Sequence, residues 1–244
     1  IGHAHIDTAW LWPLAETKRK VTRTFASQIA NIKHYPDYIF GASSPQQYAW
    51  LKESHPALYE EIKEAVKAGR WEPLGAMWIE PDCTLTSTES LIRQIIEGKK
   101  FFQSEFGIDV RNCWIPDTFG YPSTLPQIMK QSGVDYLCTQ KISWCSSTKF
   151  PYDSFVWVGL DGSEVVVHFL PEHNYNSDGN AEAFLEGEKN FLEKDRLNSF
   201  ISAIGMGYGG GGPKEEHIEQ TRLLKNLEGS PKAQFRKVSD FFAK

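Results

Sequence analysis

The chain begins with Ile1-Gly-His-Ala-His-Ile-Asp-Thr-Ala-Trp-Leu-Trp12, and this stretch decides how the rest is interpreted. Its first six residues are a β-compatible run, and a helical stretch follows over residues 13–33. His3, His5 and Asp7 occupy alternate positions, so on a strand they share one face, with neighbours roughly 6–7 Å apart. Imidazole and carboxylate are common zinc ligands, although many His-x-Asp pairs are ordinary core or surface pairs. Polar groups that end a first strand suit the C-terminal edge of an α/β sheet.

Short β-rich runs and longer helical runs alternate along the rest of the chain. Strands are predicted at 38–42, 74–79, 112–116, 136–139, 155–158 and 164–169. One helix is predicted to follow the strand at 38–42 and to end at Gly69. Further helices are predicted at 87–106, 126–131, 181–200 and 214–227, and a short one from 234. Asp161-Gly162 predicts a hairpin between the last two strands. The alternation predicts a largely parallel sheet with outer helices, either open and doubly wound or closed as a barrel.

Composition excludes several classes of protein. The 244 residues are 41% hydrophobic and 23% charged, which is typical of a globular domain and not of a disordered chain. Twenty-six basic and 31 acidic residues give a net charge of −5, which argues against nucleic-acid and anionic-membrane partners. No apolar run approaches the ~18 residues of a membrane span, and no signal peptide opens the chain. Because it opens without Met inside a dense motif, we expect a fragment of a longer protein.

The cysteines show neither CxxC nor CxxH spacing, so they do not predict a metal site. Buried free thiols in a reducing compartment are the simpler interpretation. The residues concerned are Cys83, Cys113, Cys138 and Cys145.

A second polar cluster lies in Trp114-Ile-Pro-Asp-Thr-Phe-Gly-Tyr121. The apolar run delivers Asp117 at the end of a predicted strand, beside Phe119 and Tyr121. A carboxylate in that place suits a catalytic acid, base or nucleophile of an α/β enzyme. An Asp before Thr and Gly also commonly caps a turn, and this cluster alone leaves both interpretations open.

Two further strand ends carry polar groups. Glu80 and Asp82 follow the predicted strand at 74–79, and Lys141 follows the one at 136–139. Because the carboxyl ends of parallel strands meet at one edge, we expect one shared site there. The chain's eight Trp, nine Tyr and 15 Phe suit stacking on sugar rings, although aromatic residues also build ordinary cores.

The tetraglycine Gly209–Gly212 does not match a nucleotide site. It lacks the Gly-Lys-Ser/Thr ending of a P-loop and the glycine spacing of a dinucleotide site. A flexible loop that approaches a ligand closely is the favoured interpretation.

These motifs together resemble those of the class II α-mannosidases, glycoside hydrolase family 38, and most closely its cytosolic type. The resemblance covers essentially the whole chain and keeps the family's order. It is carried by Gly2–Trp12, Gln46–Tyr48, Trp78–Asp82, Glu89–Gln94, Trp114–Tyr121, Thr139–Lys141, Trp157–Ser163 and Gly209–Pro213.

The resemblance implies a fold and an activity. The fold is an α/β, (β/α)7-type barrel with a mostly parallel central sheet and outer helices, formed by residues 1–244 as one catalytic-type domain, with helical and β-sandwich domains downstream. The activity is zinc-dependent, retaining hydrolysis of terminal α-linked mannose through a covalent glycosyl-enzyme. The implied partners are a mannose-containing oligosaccharide and the downstream domains, with a homo-oligomer left open and a cytoplasmic location.

Residue roles carry over by position. His5 and Asp7 match the family's first two metal ligands, for Zn²⁺ or another divalent transition metal such as Co²⁺. Asp117 matches the residue that is both metal ligand and nucleophile, and His3 is better interpreted as lying behind the ligands. The positions that match residues lining or adjoining the sugar subsite are Trp10, Phe119 and Lys141.

Two departures bear on activity. The family's glycine-rich motif carries an Asp general acid/base where this chain has Tyr208, and a phenol with a pKa near 10 is a poor proton donor at neutral pH. The family's remaining histidine ligand comes after Lys244. A catalytically impaired, mannose- and metal-binding relative is therefore the first alternative, and a metal-dependent hydrolase similar to polysaccharide deacetylases is the second.

Overall fold

The computed structural model of the protein describes residues 1–207 and 211–243. The strands in these ranges are β1 (Gly2–His3), β2 (Phe40–Ala42), β3 (Trp71–Pro73), β4 (Asn112–Trp114), β5 (Tyr136–Thr139), β6 (Ser154–Val158) and β7 (Glu164–Phe169). The helices are α1 (Leu14–His34), α2 (Pro45–Ser54), α3 (Pro56–Lys67), α4 (Thr88–Phe106), α5 (Leu125–Gln131), α6 (Ala181–Asn190), α7 (Glu215–Leu223) and α8 (Val238–Phe242). A 3₁₀ turn spans Lys141–Trp144.

The strands form two sheets, ordered β1-β2-β3 and β4-β5-β7-β6. Every pairing in them is parallel except β6 with β7, which is the predicted hairpin. The connection between β6 and β7 spans 159–163, with Gly162 in the left-handed region at φ 83°. The prediction of an α/β fold with mostly parallel strands and outer helices is confirmed.

A chain segment near the C-terminus continues the first sheet on the side of β1. The His3 N–H donates to the Ile204 carbonyl at 2.8 Å, and the Ile204 N–H donates to the Ile1 carbonyl at 3.0 Å. The same segment reaches the second sheet, because the Ile201 N–H donates to His168 Nε2 at 3.1 Å. Residues 201–204 therefore contact both sheets.

The core explains why α1 forms where it does. Val21, Phe25 and Ile29 recur at helical spacing and are almost fully buried, while polar residues occupy the opposite face. The Phe25 ring packs edge-on against Trp71 at 5.0 Å and against Tyr48 at 5.3 Å. Burying a side chain of this size stabilises the fold by about 1.5–3 kcal/mol.

The prediction of a strand at 74–79 is wrong. The strand is β3, and the chain leaves its extended path at Gly75, where φ is 67°. The Ala76 N–H then donates to the Asn112 carbonyl at 2.8 Å, and the Asn112 side chain accepts from the Gly75 N–H at 2.9 Å. The apolar run at 74–79 therefore belongs mostly to the loop that crosses towards β4 and not to a strand.

The helix predicted at 181–200 is too long, since α6 ends at Asn190. The next residues bond to the start of β6 instead of continuing the helix. The Leu192 N–H donates to the Asp153 carboxylate at 2.9 Å, and the Glu193 carboxylate accepts from the Asp153 N–H at 3.1 Å. These tertiary bonds outweigh helix propensity.

The last two helices are also shorter than predicted. Helix α7 ends at Leu223, four residues before the predicted 227, and α8 begins at Val238 and not at 234. The start of α8 is fixed by Glu72, whose carboxylate accepts from the Val238 N–H at 2.6 Å and the Ser239 N–H at 2.9 Å. A long-range cap of this kind leaves no local signal in the sequence.

Two other expectations have structural outcomes. All four cysteines are free, and three are buried as expected, whereas Cys145 is exposed. Within residues 1–207 and 211–243, no helix has the length and apolar character needed to cross a bilayer.

Candidate active site

The strand that leads into the site is anchored by His3. The His3 Nδ1–H donates to the Gly41 carbonyl at 3.1 Å, and the Trp114 indole N–H donates to His3 Nε2 at 3.2 Å. Burial lowers the pKa of His3 to about 3, so the ring is neutral. His3 therefore lies behind the site and ties β1 to β2 and β4.

The residues after β1 are fixed from the side by α2. The Gln47 side-chain amide donates to the Ile6 carbonyl at 2.8 Å, between His5 and Asp7. Asp117 follows β4, and its neighbour Thr118 is buried and donates through its hydroxyl to the Pro81 carbonyl at 3.4 Å. Two sheets thus deliver these side chains to the same place.

His5, Asp7 and Asp117 form one cluster. His5 Nε2 lies 3.4 Å from Asp7 Oδ1 and 3.3 Å from Asp117 Oδ2. One possible ligand atom from each residue lies within 4.8 Å of the other two. The opposite side of the His5 ring faces a third carboxylate, with Nδ1 3.4 Å from Glu80 Oε2.

The electrostatics of the cluster favour positive charge. Burial lowers the pKa of His5, but the charge of Glu80 and hydrogen bonds to Asp117, Asp7 and Glu80 raise it well above its usual value. Burial raises the pKa of Asp117, but hydrogen bonds from His5 and Lys141 outweigh it and bring the pKa to about 2. Asp117 is therefore an ionised carboxylate at any physiological pH.

Lys141 supplies a cation beside Asp117. Its ammonium forms an ion pair with Asp117 Oδ1 and is buried. Aromatic rings surround it, with centroids 3.7 Å away for Trp144, 4.8 Å for Phe119 and 5.3 Å for Tyr175. A desolvated ammonium over aromatic faces is held by cation–π attraction as well as by the carboxylate.

Phe119 and Trp10 leave much of their rings exposed. Phe119 is 70% exposed and Trp10 is 53% exposed, values that are high for large apolar side chains. Phe119 joins the cluster through Lys141. Trp10 lies three residues after Asp7, but no ring or hydrogen-bond contact within the described residues links it to the cluster.

Other predicted site positions lie elsewhere. Asp82 is a turn residue, because its carboxylate accepts from the Thr84 N–H at 2.8 Å and the Leu85 N–H at 3.1 Å. Tyr208 and the first half of the tetraglycine lie outside the described residues. The second half is held by α1, where the Gln28 amide donates to the Gly211 carbonyl at 2.7 Å.

The sequence did not assign a role to Glu80, Ser43 or Tyr175. Glu80 was noted only as a polar residue at the rim, whereas it faces His5 directly. Tyr175 is buried, and its ring packs edge-on against His5 at 5.0 Å. These contacts join residues far apart in the chain, so only an alignment with a known site could have indicated them.

The donor set fits a divalent transition metal. Ligands about 2.0–2.1 Å from a tetrahedral zinc ion lie about 3.3–3.4 Å apart. The two distances from His5 Nε2 to the carboxylate oxygens of Asp7 and Asp117 are 3.4 and 3.3 Å. One imidazole and two carboxylates are also ligand types that zinc accepts.

Comparison with known proteins identifies similar sequences. The sequence model described as the glycosyl hydrolases family 38 N-terminal domain matches residues 1–244. Among curated proteins, the chain is 43% identical to alpha-mannosidase G of Dictyostelium discoideum and 41% identical to alpha-mannosidase 2C1 of Homo sapiens, over 99% of its length in both cases. It spans only 22% and 23% of the length of those relatives.

Solved structures share the fold at low sequence identity. The chain superposes on an alpha-mannosidase from Enterococcus faecalis V583 with a TM-score of 0.81 at 20% identity, covering 100% of this chain and 28% of that one. It superposes on 4-alpha-glucanotransferase from Thermococcus litoralis with a TM-score of 0.72 at 15% identity, covering 100% of this chain and 40% of that one. At these identities the likeness concerns the fold alone.

Proposed function

This chain belongs to glycosyl hydrolase family 38, and we propose that it forms the metal-holding, nucleophile-bearing part of a retaining α-mannosidase. The substrate would be a mannose-containing oligosaccharide that loses its terminal α-linked mannose. The observation that carries the proposal is the convergence of His5, Asp7 and Asp117 at the strand ends, with Asp117 ionised. The 39–43% identity to α-mannosidases supports the same substrate class.

Asp117 would act as the nucleophile. One carboxylate oxygen bonds to the anomeric carbon as the glycosidic carbon–oxygen bond breaks, and the departing oxygen takes up a proton from solvent, which the water of the second step returns. Water then hydrolyses the glycosyl ester and releases mannose with its original configuration. The low pKa of Asp117 keeps the attacking oxygen unprotonated throughout the physiological range.

His5, Asp7 and Asp117 would hold the zinc ion. When bound, the zinc supplies Lewis-acid contacts to sugar hydroxyls and further stabilises the ionised form of Asp117. Lys141 orients the Asp117 carboxylate from the other side through its ion pair. The exposed faces of Phe119 and Trp10 offer stacking surfaces for the apolar side of a mannose ring.

The same proposal extends to the architecture and setting. Segment 201–204 contacts both β1 and β7, which supports a closed (β/α)7-type barrel in which this segment is the seventh parallel strand beside β1–β5 and β7, with β6 as an antiparallel addition. Residues 1–244 would then be one catalytic-type domain, with helical and β-sandwich domains elsewhere in the natural polypeptide. A cytoplasmic location is part of the proposal through the family's cytosolic type.

Tyr208 favours a second candidate function, a mannose- and metal-binding relative with little hydrolytic activity. Loss of acid catalysis typically costs about 10²–10⁴ in rate. Replacing Tyr208 by Asp should raise hydrolysis of an oligosaccharide, whose leaving group needs a proton, more than that of an activated aryl mannoside. An unchanged rate on both substrates would contradict this candidate.

The test of the main proposal uses the protein in its natural full length. After loading with zinc, it should hydrolyse an aryl α-mannoside, and nuclear magnetic resonance should detect α-mannose as the first product. Chelation should abolish the activity and added zinc should restore it. First formation of β-mannose, or full activity after removal of all metal, would contradict the retaining, metal-dependent mechanism.

A further inference from the structure

Glu80 is a mostly buried carboxylate that the reaction described above does not use. Its Oε2 lies 3.4 Å from His5 Nδ1, and its Oε1 accepts a hydrogen bond from the Ser43 hydroxyl at 2.6 Å. Glu80 Oε2 and His5 Nδ1 are both buried, and neither atom has a close hydrogen-bond partner among the described residues, so this 3.4 Å ion-pair contact is the polar contact available to each. Because an unpaired buried polar atom is costly, these two atoms complement each other.

The backbone that carries Glu80 is fixed by two glutamines. The Trp78 N–H donates to the Gln94 carbonyl at 2.8 Å, and the Ile79 N–H donates to the Gln94 side chain at 2.9 Å. From α2, the Gln46 side chain accepts from the Trp78 indole N–H at 3.2 Å. Glu80 is therefore presented by a braced segment.

The ring that faces Glu80 is braced as well. His5 lies between His3, which is anchored to β2, and Ile6, whose carbonyl is held by Gln47. Its Nδ1 side faces Glu80, and its Nε2 side faces Asp7 and Asp117. The two ring nitrogens of His5 therefore face different carboxylates.

We propose that Glu80, held by Ser43, is a positioning residue that accepts a hydrogen bond from the His5 Nδ1–H and so presents Nε2 as the metal-binding atom. This inference rests on the proposed function, since it concerns the same metal site. A carboxylate behind a ligating imidazole fixes its tautomer and ring orientation and makes the ligand nitrogen more basic. Ser43 completes the arrangement by fixing the second oxygen of Glu80.

His3 shows what the carboxylate adds. The Nδ1–H of His3 also has an acceptor, but it is the neutral Gly41 carbonyl, and its Nε2 is occupied by Trp114. Of these two histidines on one short stretch, only His5, which has a carboxylate at Nδ1, keeps Nε2 turned towards acidic side chains.

The test is Glu80→Gln in the protein in its natural full length, measured by competition with a chelator for Zn²⁺. Loss of the carboxylate should weaken zinc binding about 10- to 100-fold. The Co²⁺-loaded variant should also show shifted d–d absorption bands, since the His5 ring is no longer held in one orientation. Asp82→Asn is the matched control in the same loop, and it should leave affinity and spectrum unchanged.

Each outcome is decisive. Zinc affinity within twofold of wild type and an unshifted cobalt spectrum in Glu80→Gln would overturn this inference and leave the proposed function standing. A wild-type protein that binds no metal would overturn both. If Glu80→Gln does not fold, Ser43→Ala replaces it, because it removes only one hydroxyl; its zinc affinity should fall at least about threefold and be rescued by Ser43→Thr, and an unchanged affinity overturns the inference.

Discussion

Two buried histidines, His5 and His168, differ in how well the groups around them match the hydrogen-bond donors and acceptors of the ring. At His168 donors and acceptors match: Nε2 accepts from the Ile201 N–H at 3.1 Å, which leaves Nδ1–H to donate to Ser154 Oγ at 2.8 Å. At His5 they do not match, since the ring faces the carboxylates of Asp7, Glu80 and Asp117. Burial lowers the pKa of His168 to about 3, whereas the carboxylates raise the pKa of His5 well above its usual value.

The difference separates a structural polar group, His168, from a candidate functional one, His5. A buried polar group whose bonds are all satisfied stabilises the fold and needs nothing more. A surplus of carboxylates around one imidazole is costly on its own and becomes favourable when a cation joins it. Burial alone therefore does not identify the site; the mismatch of donors and acceptors does.

The largest expected effect comes from removing one of the carboxylates that surround His5. Asp117→Asn removes the nucleophile and a metal ligand together, so hydrolysis of an aryl α-mannoside should fall by about 10³-fold or more. Steady-state kinetics of the zinc-loaded, full-length protein measures it. Asp135→Asn is the control, since Asp135 pairs with Arg111 and Lys130 outside the cluster, and it should keep its activity. Normal turnover of Asp117→Asn would rule out the nucleophile role.

A smaller effect is expected at the matched histidine. The unfolded-state pKa of His168 is about 6.5 and the folded one about 3, so the unfolded chain takes up the proton first as the pH falls. The contribution to stability is complete above pH ~6.5 and is lost at about 1.4 kcal/mol per pH unit between ~6.5 and ~3. Because the pKa of His3 is also lowered to about 3, His168→Gln should reduce the pH dependence of the unfolding free energy by about 1.4 kcal/mol per pH unit, and not abolish it, in urea unfolding curves measured from pH 7 to 4.5.

Wild type, measured over the same pH range, is the reference for that prediction. A wild-type slope that persists in His168→Gln would show that other groups carry it, and the contrast between matched and unmatched histidines would lose its thermodynamic support.

The smallest effect on activity is expected at the exposed ring of Phe119. Phe119→Leu removes an exposed stacking face, so kcat/KM for an α-mannoside should fall about 2- to 10-fold, equivalent to about 0.5–1.5 kcal/mol. Because the ring also faces the Lys141 ammonium at 4.8 Å, the free energy of unfolding should fall by about 0.5–1 kcal/mol, the size of a partly exposed cation–π contact. Tyr152→Leu, at a similarly exposed ring, should leave kcat/KM unchanged. An unaltered kcat/KM in Phe119→Leu would remove this ring from the sugar subsite.

Much of the fold could be predicted from periodicity. The helical runs at 13–33 and 87–106 and the Asp161-Gly162 turn are local signals, and the structure confirms these helices and the hairpin. The errors occur where long-range bonds decide. Helix α6 ends where Leu192 bonds to Asp153, 39 residues earlier in the chain, and no window of sequence contains that information.

Part of the site could also be predicted, because some of its residues lie in local sequence motifs. His5 and Asp7 are neighbours in one motif, and Asp117 ends a strand, so pattern and resemblance together point to them. Their convergence is geometric fact, whereas their roles remain predictions. The role of Glu80 could be inferred only from the structure, because its hydrogen-bond partner Ser43 lies 37 positions earlier in the sequence.

The first turn of α2 has a consequence for inherited variation. Gln46 and Gln47 reach in different directions, one to the Trp78 segment and the other to Ile6. Neighbouring codons thus tie together the segment that carries Glu80 and the stretch that carries His5 and Asp7, whose mutual alignment the proposed metal site would require. A missense change at either glutamine would leave every reacting group intact and yet diminish turnover, so a clinical or evolutionary survey restricted to ligands and nucleophile would overlook such alleles.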